Sequence, residues 1–195
     1  MRRVHDKDIN SPEYFDKMWN LLGHKYDPIR LVYLLKQVRL ADTVCELGCG
    51  WFGALQYATA VLGMDIKAYV VDFSKEALRK SLMCAPYLKV HLGDVLHTPY
   101  TDSKFDVVIA GELIEHMDQP EALVKEMSRI CKPGGYLNIS TVDPDCEDGK
   151  HLKYPEHVFR FTPEDLITLF SPYGKPEYRM VGNYLTISCK TYGTN

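Results

Sequence analysis

Between residues 43 and 141 short apolar runs alternate with helical stretches of about 10–15 residues, and that rhythm admits few folds. The apolar runs are residues 43–47, 68–71, 88–92, 105–110 and 136–141, with Val107, Val108 and Ile109 the strongest. Helices are predicted over 52–62, over 74–83 with Ser74 as cap, and over 120–130. Cys131-Lys132-Pro133-Gly134-Gly135 is expected to close the last of these as a turn. Strands joined by helical crossovers lie parallel, and a parallel sheet needs helices on both faces. The expected class is therefore α/β, a three-layer sandwich around a mostly parallel sheet.

The two ends depart from that rhythm. Ser11-Pro12-Glu13 starts a helix, Ser11 as cap and Pro12 in the first turn, followed by Tyr14, Met18, Leu21 and Leu22 at helical spacing. Asp27-Pro28 opens a second helix, whose apolar stripe reads Ile29, Val32, Leu35 and Val38. Beyond residue 141, Thr162-Pro163-Glu164 starts a helix to about Phe170, and strands over 178–181 and 184–190 are joined by Gly182-Asn183. Such a hairpin makes the final strand antiparallel to its neighbour. The stretch 142–161 has no periodicity, and loops of that length in compact domains are usually functional. The expectation is one domain over 1–195: helices to residue 40, a core over 41–141, and an acceptor-side loop, helix and hairpin over 142–195.

Composition narrows the class of partner. With 195 residues, 46% of them hydrophobic, the chain can bury a sizeable core. A net charge of −3 argues against a general electrostatic hold on nucleic acid. No run approaches the roughly 18 apolar residues of a membrane helix, and the N-terminus lacks the apolar stretch of a secretory signal. The six cysteines (45, 49, 84, 131, 146 and 189) form no C-x-x-C pair. Their scatter fits free thiols in a reducing compartment, so a cytoplasmic location is expected.

Chemistry enters at Val44-Cys45-Glu46-Leu47-Gly48-Cys49-Gly50-Trp51-Phe52-Gly53, a strand, a glycine turn and a helix start. Without side chains at Gly48 and Gly50 the backbone bends sharply and a ligand can approach it closely. Asp72 ends the second strand, placed to accept from both hydroxyls of a ribose. Asp94 ends the third strand and can accept from an adenine amino group, while Glu46 suits an ammonium or sulfonium. Three acids around one crevice point to a cationic cofactor without phosphates. A nicotinamide dinucleotide is the alternative, but it leaves Glu46, Asp94 and the Pro-Gly-Gly turn without a role.

From Val44 to Ser140 the motifs follow one another as Glu46-Leu47-Gly48-Cys49-Gly50, Val70-Val71-Asp72-Phe73-Ser74, Gly93-Asp94-Val95, Phe105-Asp106-Val107-Val108-Ile109, Leu113-Ile114-Glu115-His116 and Lys132-Pro133-Gly134-Gly135. In this order they resemble the class I S-adenosylmethionine-dependent methyltransferases. The resemblance implies a Rossmann-like seven-stranded sheet of order 3-2-1-4-5-7-6 with the last strand antiparallel, and S-adenosyl-L-methionine as cofactor. It implies a binding set of Glu46, Gly48, Cys49, Gly50, Asp72, Phe73, Asp94, Val95 and Gly111. Gly48 and Gly50 would face the methionine part, Asp72 the ribose, and Asp94 and Phe73 the adenine. One departure stands out: the family's third glycine falls where this chain has Phe52, and glycine comes one residue later, at Gly53.

If a helical turn begins after the fourth strand, Glu112, Glu115 and His116 share one face at i, i+3 and i+4. Such a set binds a divalent cation, Mg²⁺, Mn²⁺ or Zn²⁺, or acts as a general base. Equally, acids favour a helix's first turn and a histidine can anchor a loop. With His157 in the later segment, the pattern is similar to the quinone-biosynthesis O-methyltransferases and the small-RNA 3′-terminal 2′-O-methyltransferases. That similarity implies metal ligands Glu112, Glu115, His116 and His157; a hydroxyl acceptor would need its proton removed, which makes His116 or His157 the expected catalytic base. The lid residues Tyr154, Phe159 and Phe161, with His151 and Lys153, suit a small, partly apolar acceptor, methylated on O or N. RNA as acceptor, or a catalytically silent cofactor-binding subunit, are the other readings.

Overall fold

The computed structural model of the chain describes residues 1–4, 9–21, 27–143, 145 and 154–193. Leu22, Cys146, His151 and Lys153, and the side chain of Leu21, lie outside the described residues.

The chain begins with a two-residue strand, β1 (Arg2–Arg3), then α1 (Pro12–Leu21) and α2 (Pro28–Leu34). There follow β2 (Thr43–Leu47), α3 (Ala54–Gln56), β3 (Lys67–Asp72), α4 (Lys75–Cys84), β4 (Lys89–Leu92), β5 (Phe105–Gly111), α5 (Pro120–Ile130) and β6 (Cys131–Val142). The last part contains β7 (Phe159–Arg160), α6 (Pro163–Phe170), β8 (Gly174–Val181) and β9 (Tyr184–Thr191). Seven strands form one sheet in the order β4-β3-β2-β5-β6-β9-β8, and β1 pairs with β7 outside it. Counting only the seven, this is the expected 3-2-1-4-5-7-6. Every interior pair is parallel except those of β9, which runs antiparallel to both β6 and β8.

Strand alternation divides the core between the two faces. Cys45, Leu47 and Val108 join Leu123 and Met127 of α5 and Phe170 of α6. Val44, Val107 and Ile109 join Leu31 and Leu34 of α2, Leu55 of α3 and Leu78 of α4 on the other face. β5 is buried on both sides, which is why it reads as a continuous apolar run.

Three local expectations need correction. The buried face of α2 carries Arg30, Leu31 and Leu34, continued by Leu35 and Val38, whereas Ile29 and Val32 are 69% and 48% exposed. Both stripes have helical spacing, and the choice between them is made by what α2 lies on, β6 and β9. The predicted 52–62 helix begins only at Ala54 and after Gln56 widens into a π-helical turn, Tyr57–Val61. Pro133-Gly134-Gly135 is not a separate turn but a bulge inside β6: Phe105 pairs with Cys131, and Val107 already with Tyr136. Gly134 has φ +76°, and a Cβ on Gly135 would lie 2.6 Å from the Asp106 carbonyl oxygen. No helix among the described residues is long and apolar enough to cross a membrane.

At the carboxyl ends of β2, β3 and β5 the connections diverge to opposite faces of the sheet, opening the crevice in which such sheets hold ligands. α1 packs against α4 beside it, and β7 packs on the turn that follows β5.

Candidate functional site

The glycine turn after β2 has the backbone its residues predict. Gly48 and Gly50 both lie in the left-handed region, at φ +66° and +53°. A Cβ on Gly50 would meet the Trp19 indole of α1 at 3.1 Å. The turn is pinned from its own strands: the Gly48 N–H donates to the Val71 carbonyl (2.8 Å), and the Gly50 N–H donates to Asp72 Oδ2 (3.0 Å).

Asp72 also accepts from the Ser74 N–H through Oδ1 (2.8 Å), so one carboxylate ties the glycine turn to the start of α4. Burial pushes its pKa up to about 6, against the pull of the Ser74 and Gly50 N–H groups. Glu46 accepts from the Ala54 N–H through Oε1 (2.8 Å) and from the Leu55 N–H through Oε2 (2.9 Å), holding the first turn of α3. Burial pushes it up to about 7, with those two N–H groups opposing. Both acids thus shape the crevice wall, and each oxygen keeps lone-pair capacity for a ligand.

The other residues expected around a cofactor are spread in depth. Phe73 is partly exposed, its ring 5.5 Å from that of Phe15 in α1. Asp94 is exposed and accepts from the Leu96 N–H (2.8 Å), with His97 Nδ1 3.0 Å from its other oxygen. The Cys49 side chain is buried towards Ser81, and Val95 belongs to the core, so these two can offer the crevice mainly backbone. Gly111 ends β5, and a Cβ there would meet Arg30 Nη1 and Leu34 at 3.0 Å.

After Gly111 the chain turns through Glu112 at φ +51° into a single 3₁₀ turn, Ile114–His116. Glu112 therefore precedes the helical turn, and the shared face expected for Glu112, Glu115 and His116 does not form. Instead Glu112 Oε1 lies 2.9 Å from Arg30 Nε. Glu115, His116 and His157 do converge: their potential ligand atoms all lie within 4.8 Å of one another. β7 makes this possible, since the Val158 N–H donates to the Glu115 carbonyl (2.7 Å) and brings His157 to His116, ring centroids 4.8 Å apart.

The electrostatics of this cluster are those of buried groups. His116 Nδ1 lies 2.9 Å from the Glu156 carbonyl oxygen, which selects the tautomer with its proton on Nδ1 and leaves Nε2 as an acceptor. Burial lowers the His116 pKa. Glu115 is 1% exposed, and burial, then the charge of Glu112, pushes it up to about 8. Thr141 lies near enough to draw that value down, yet neither Glu115 oxygen accepts a well-formed hydrogen bond from the described residues.

Several contributors have no sequence signal of their own. Asn10 donates to the carbonyls of His116 (2.9 Å) and Glu156 (3.0 Å), and the Tyr14 hydroxyl donates to Glu156 (3.3 Å). The Phe15 ring sits edge-on to His116 at 5.7 Å. Arg30 enters from the buried face of α2, where an arginine between Ile29 and Leu31 reads as solvent-facing. Of the expected lid, Tyr154 lies 5.4 Å from the His157 ring, whereas Phe161 is buried in the core.

Residues 45–139 match the family model of a methyltransferase domain. An uncharacterized methyltransferase of Schizosaccharomyces pombe is 30% identical over 121 residues, covering 57% of this chain and 44% of that protein. A ubiquinone biosynthesis O-methyltransferase of Coxiella burnetii is 28% identical over 158 residues, covering 75% of this chain and 66% of the enzyme. The chain thus spans about half to two-thirds of the length of these curated relatives. A solved complex of Haloferax volcanii, between the Trm112 methyltransferase activator and a methyltransferase, contains a chain that superposes with a TM-score of 0.76 at 18% identity. That match covers 91% of this chain and 97% of the other, and shows the shared fold. The methyltransferase domain over residues 45–139 and the named relatives support a class I S-adenosylmethionine-dependent methyltransferase, and the strand order is the one expected for that fold.

Proposed function

We propose that the chain transfers the methyl group of S-adenosylmethionine to an oxygen or nitrogen atom of a small-molecule acceptor. The observation that carries this reading is the convergence of Glu115, His116 and His157 beside the glycine turn, where an acceptor would meet a cofactor lying over Gly48 and Gly50. Asp72 would accept from the ribose hydroxyls, with Phe73, Asp94 and Val95 bordering the adenine. Cys49, Gly50 and Gly111 would lend backbone, and Glu46 would keep the turn in shape.

S-adenosylmethionine supplies an already activated methyl group, so the protein's work is to align the acceptor, exclude water and remove a proton. Phe15 and Trp19 close the crevice from the α1 side. His116 is built as the base: its Nδ1–H is committed to the Glu156 carbonyl, and burial favours the neutral ring with Nε2 open to a proton. His157 is the alternative base at the same point.

The same cluster fits a divalent cation. A buried carboxylate flanked by two imidazoles is a mixed oxygen and nitrogen donor set, better suited to Mn²⁺ than to Mg²⁺. Glu115, His116 and His157 would hold it, and a bound cation would lower the pKa of an acceptor hydroxyl. Glu112, expected from the sequence as a fourth ligand, is paired with Arg30 instead.

Screening purified protein against phenolic, aliphatic hydroxyl and amine acceptors, with S-adenosylhomocysteine release as readout, tests the function. Turnover with a small acceptor is expected. Cofactor binding without turnover of any class, RNA 3′ ends included, would favour a non-catalytic role.

A further inference from the structure

The Arg30–Glu112 pair borders the Glu115–His116–His157 cluster without a part in the chemistry above. Arg30 is 5% exposed, a costly place for a guanidinium unless its neighbours compensate it. Three do: Glu112 Oε1 lies 2.9 Å from Nε, Nη1 donates to Ser140 Oγ (3.1 Å), and the Tyr184 ring centroid is 5.1 Å from the guanidinium carbon. Gly111 leaves room for this, since a Cβ there would meet Nη1 at 3.0 Å. The contact between Arg30 Nε and Glu112 Oε1 is close but lacks hydrogen-bond geometry, so charge more than a directed bond holds Glu112. Glu112 is also within electrostatic reach of the cluster, its charge being felt at both Glu115 and His116.

We propose that Arg30 is a positioning residue that holds Glu112 out of the cation site, so that the protein offers one carboxylate and two imidazoles rather than two of each. This rests on the reading of Glu115, His116 and His157 as a cation site. Arg30 does so in two ways: it neutralises the Glu112 carboxylate, and its bond to Ser140 anchors the guanidinium to β6. Removing Arg30 frees Glu112 to swing to the cation as a fourth ligand. A second carboxylate adds charge attraction, so a divalent cation should bind more tightly and Glu112 should become responsible for the gain.

Mn²⁺ titration of the purified full chain, read by electron paramagnetic resonance of free Mn²⁺, tests this without any acceptor. Arg30→Met is expected to tighten Mn²⁺ binding by about tenfold or more over wild type. Glu112→Gln alone should stay within about threefold of wild type, and the double variant should return to that range. Arg30→Gln, which keeps a donor for Ser140, carries the same expectation should Arg30→Met not fold. Wild-type binding with Arg30→Met and Arg30→Gln folded but no tighter overturns the role of Arg30. Tightening that persists in the double variant overturns the role of Glu112. A wild type that binds no Mn²⁺ overturns the cation reading itself, and with it this proposal.

Discussion

A Cβ atom on Gly53 would lie 2.7 Å from both Cδ and Oε2 of Glu46, so the bare backbone at residue 53 is what lets that carboxylate reach the N–H groups of Ala54 and Leu55. Gly53 has φ −96°, which any residue can adopt, so a side chain is refused there for lack of space alone. This accounts for a glycine at 53 beside Phe52: the helix starts at Ala54, and the space is needed beside its first N–H groups.

Gly53→Ala is therefore expected to destabilise the fold by about 1–3 kcal/mol through overpacking. Glu46→Gln should cost a similar ~1–3 kcal/mol, because an amide can accept from only one of the two N–H groups and sets its own NH₂ against the other. Urea unfolding of both variants checks this; a Glu46→Gln protein as stable as wild type would mean the carboxylate does not hold α3.

Asp72→Ala should weaken S-adenosylhomocysteine binding by about 1–3 kcal/mol, since it removes a ribose acceptor and releases the Gly50 N–H together. Titration calorimetry on a variant shown to be folded measures it. Unchanged affinity would place the ribose elsewhere.

His116→Ala is expected to lower turnover by roughly 10²-fold while cofactor affinity stays within a few-fold of wild type. Because burial lowers the His116 pKa, the acid limb of the pH–rate profile should lie below the ordinary 6.5. EDTA sensitivity, reversed by Mn²⁺, separates a cation site from a lone base. A variant that loses cofactor binding in step with activity would put His116 on the cofactor side.

Trp19 and Trp51 are the two tryptophans of the chain, and Trp19 rests on Gly50. In a Trp51→Phe background, saturating S-adenosylhomocysteine should shift or quench the remaining emission. No spectral change, with binding verified by calorimetry, would show that Trp19 does not border the cofactor.

Glu46, Asp72 and Glu115 have folded-state values of about 7, 6 and 8, all above their ordinary 4.5, 3.8 and 4.5, chiefly through burial. The folded protein thus holds protons that the unfolded chain has already released. Their contribution to stability is complete below the ordinary carboxyl range and is lost as pH rises through 6 to 8. The ligand-free protein should therefore lose Tm steadily between pH 5.5 and 8.5, at roughly 2–4 °C for each kcal/mol of stability lost in a chain of this size. Glu115→Gln should flatten the upper part of that slope. Rising Tm over the same range would contradict the burial of these acids as charge-free groups.

The sheet was legible because its evidence is local and repeated: five apolar runs, helices between them, and a Gly-Asn turn that forces β9 antiparallel. The glycine turn was legible for the same reason, since positive φ at Gly48 and Gly50 is a property of the residues themselves. Faces and partners were not. Ile29 and Val32 have the same helical spacing as the residues α2 buries, and only docking on β6 and β9 turns them outward and Arg30 inward. Likewise, the run from Glu112 to His116 names candidate ligands without saying which point the same way. The left-handed turn at Glu112 and the buried charge of Arg30 draw one acid off, and the pairing of Val158 with Glu115 delivers His157 from some 40 residues away. By itself the sequence determined where the strands and helices fall and the backbone of the turn, because propensity and periodicity act over a few residues. Only the tertiary structure decided which side chains share the site, because burial and charge pairing join residues that are far apart in the chain.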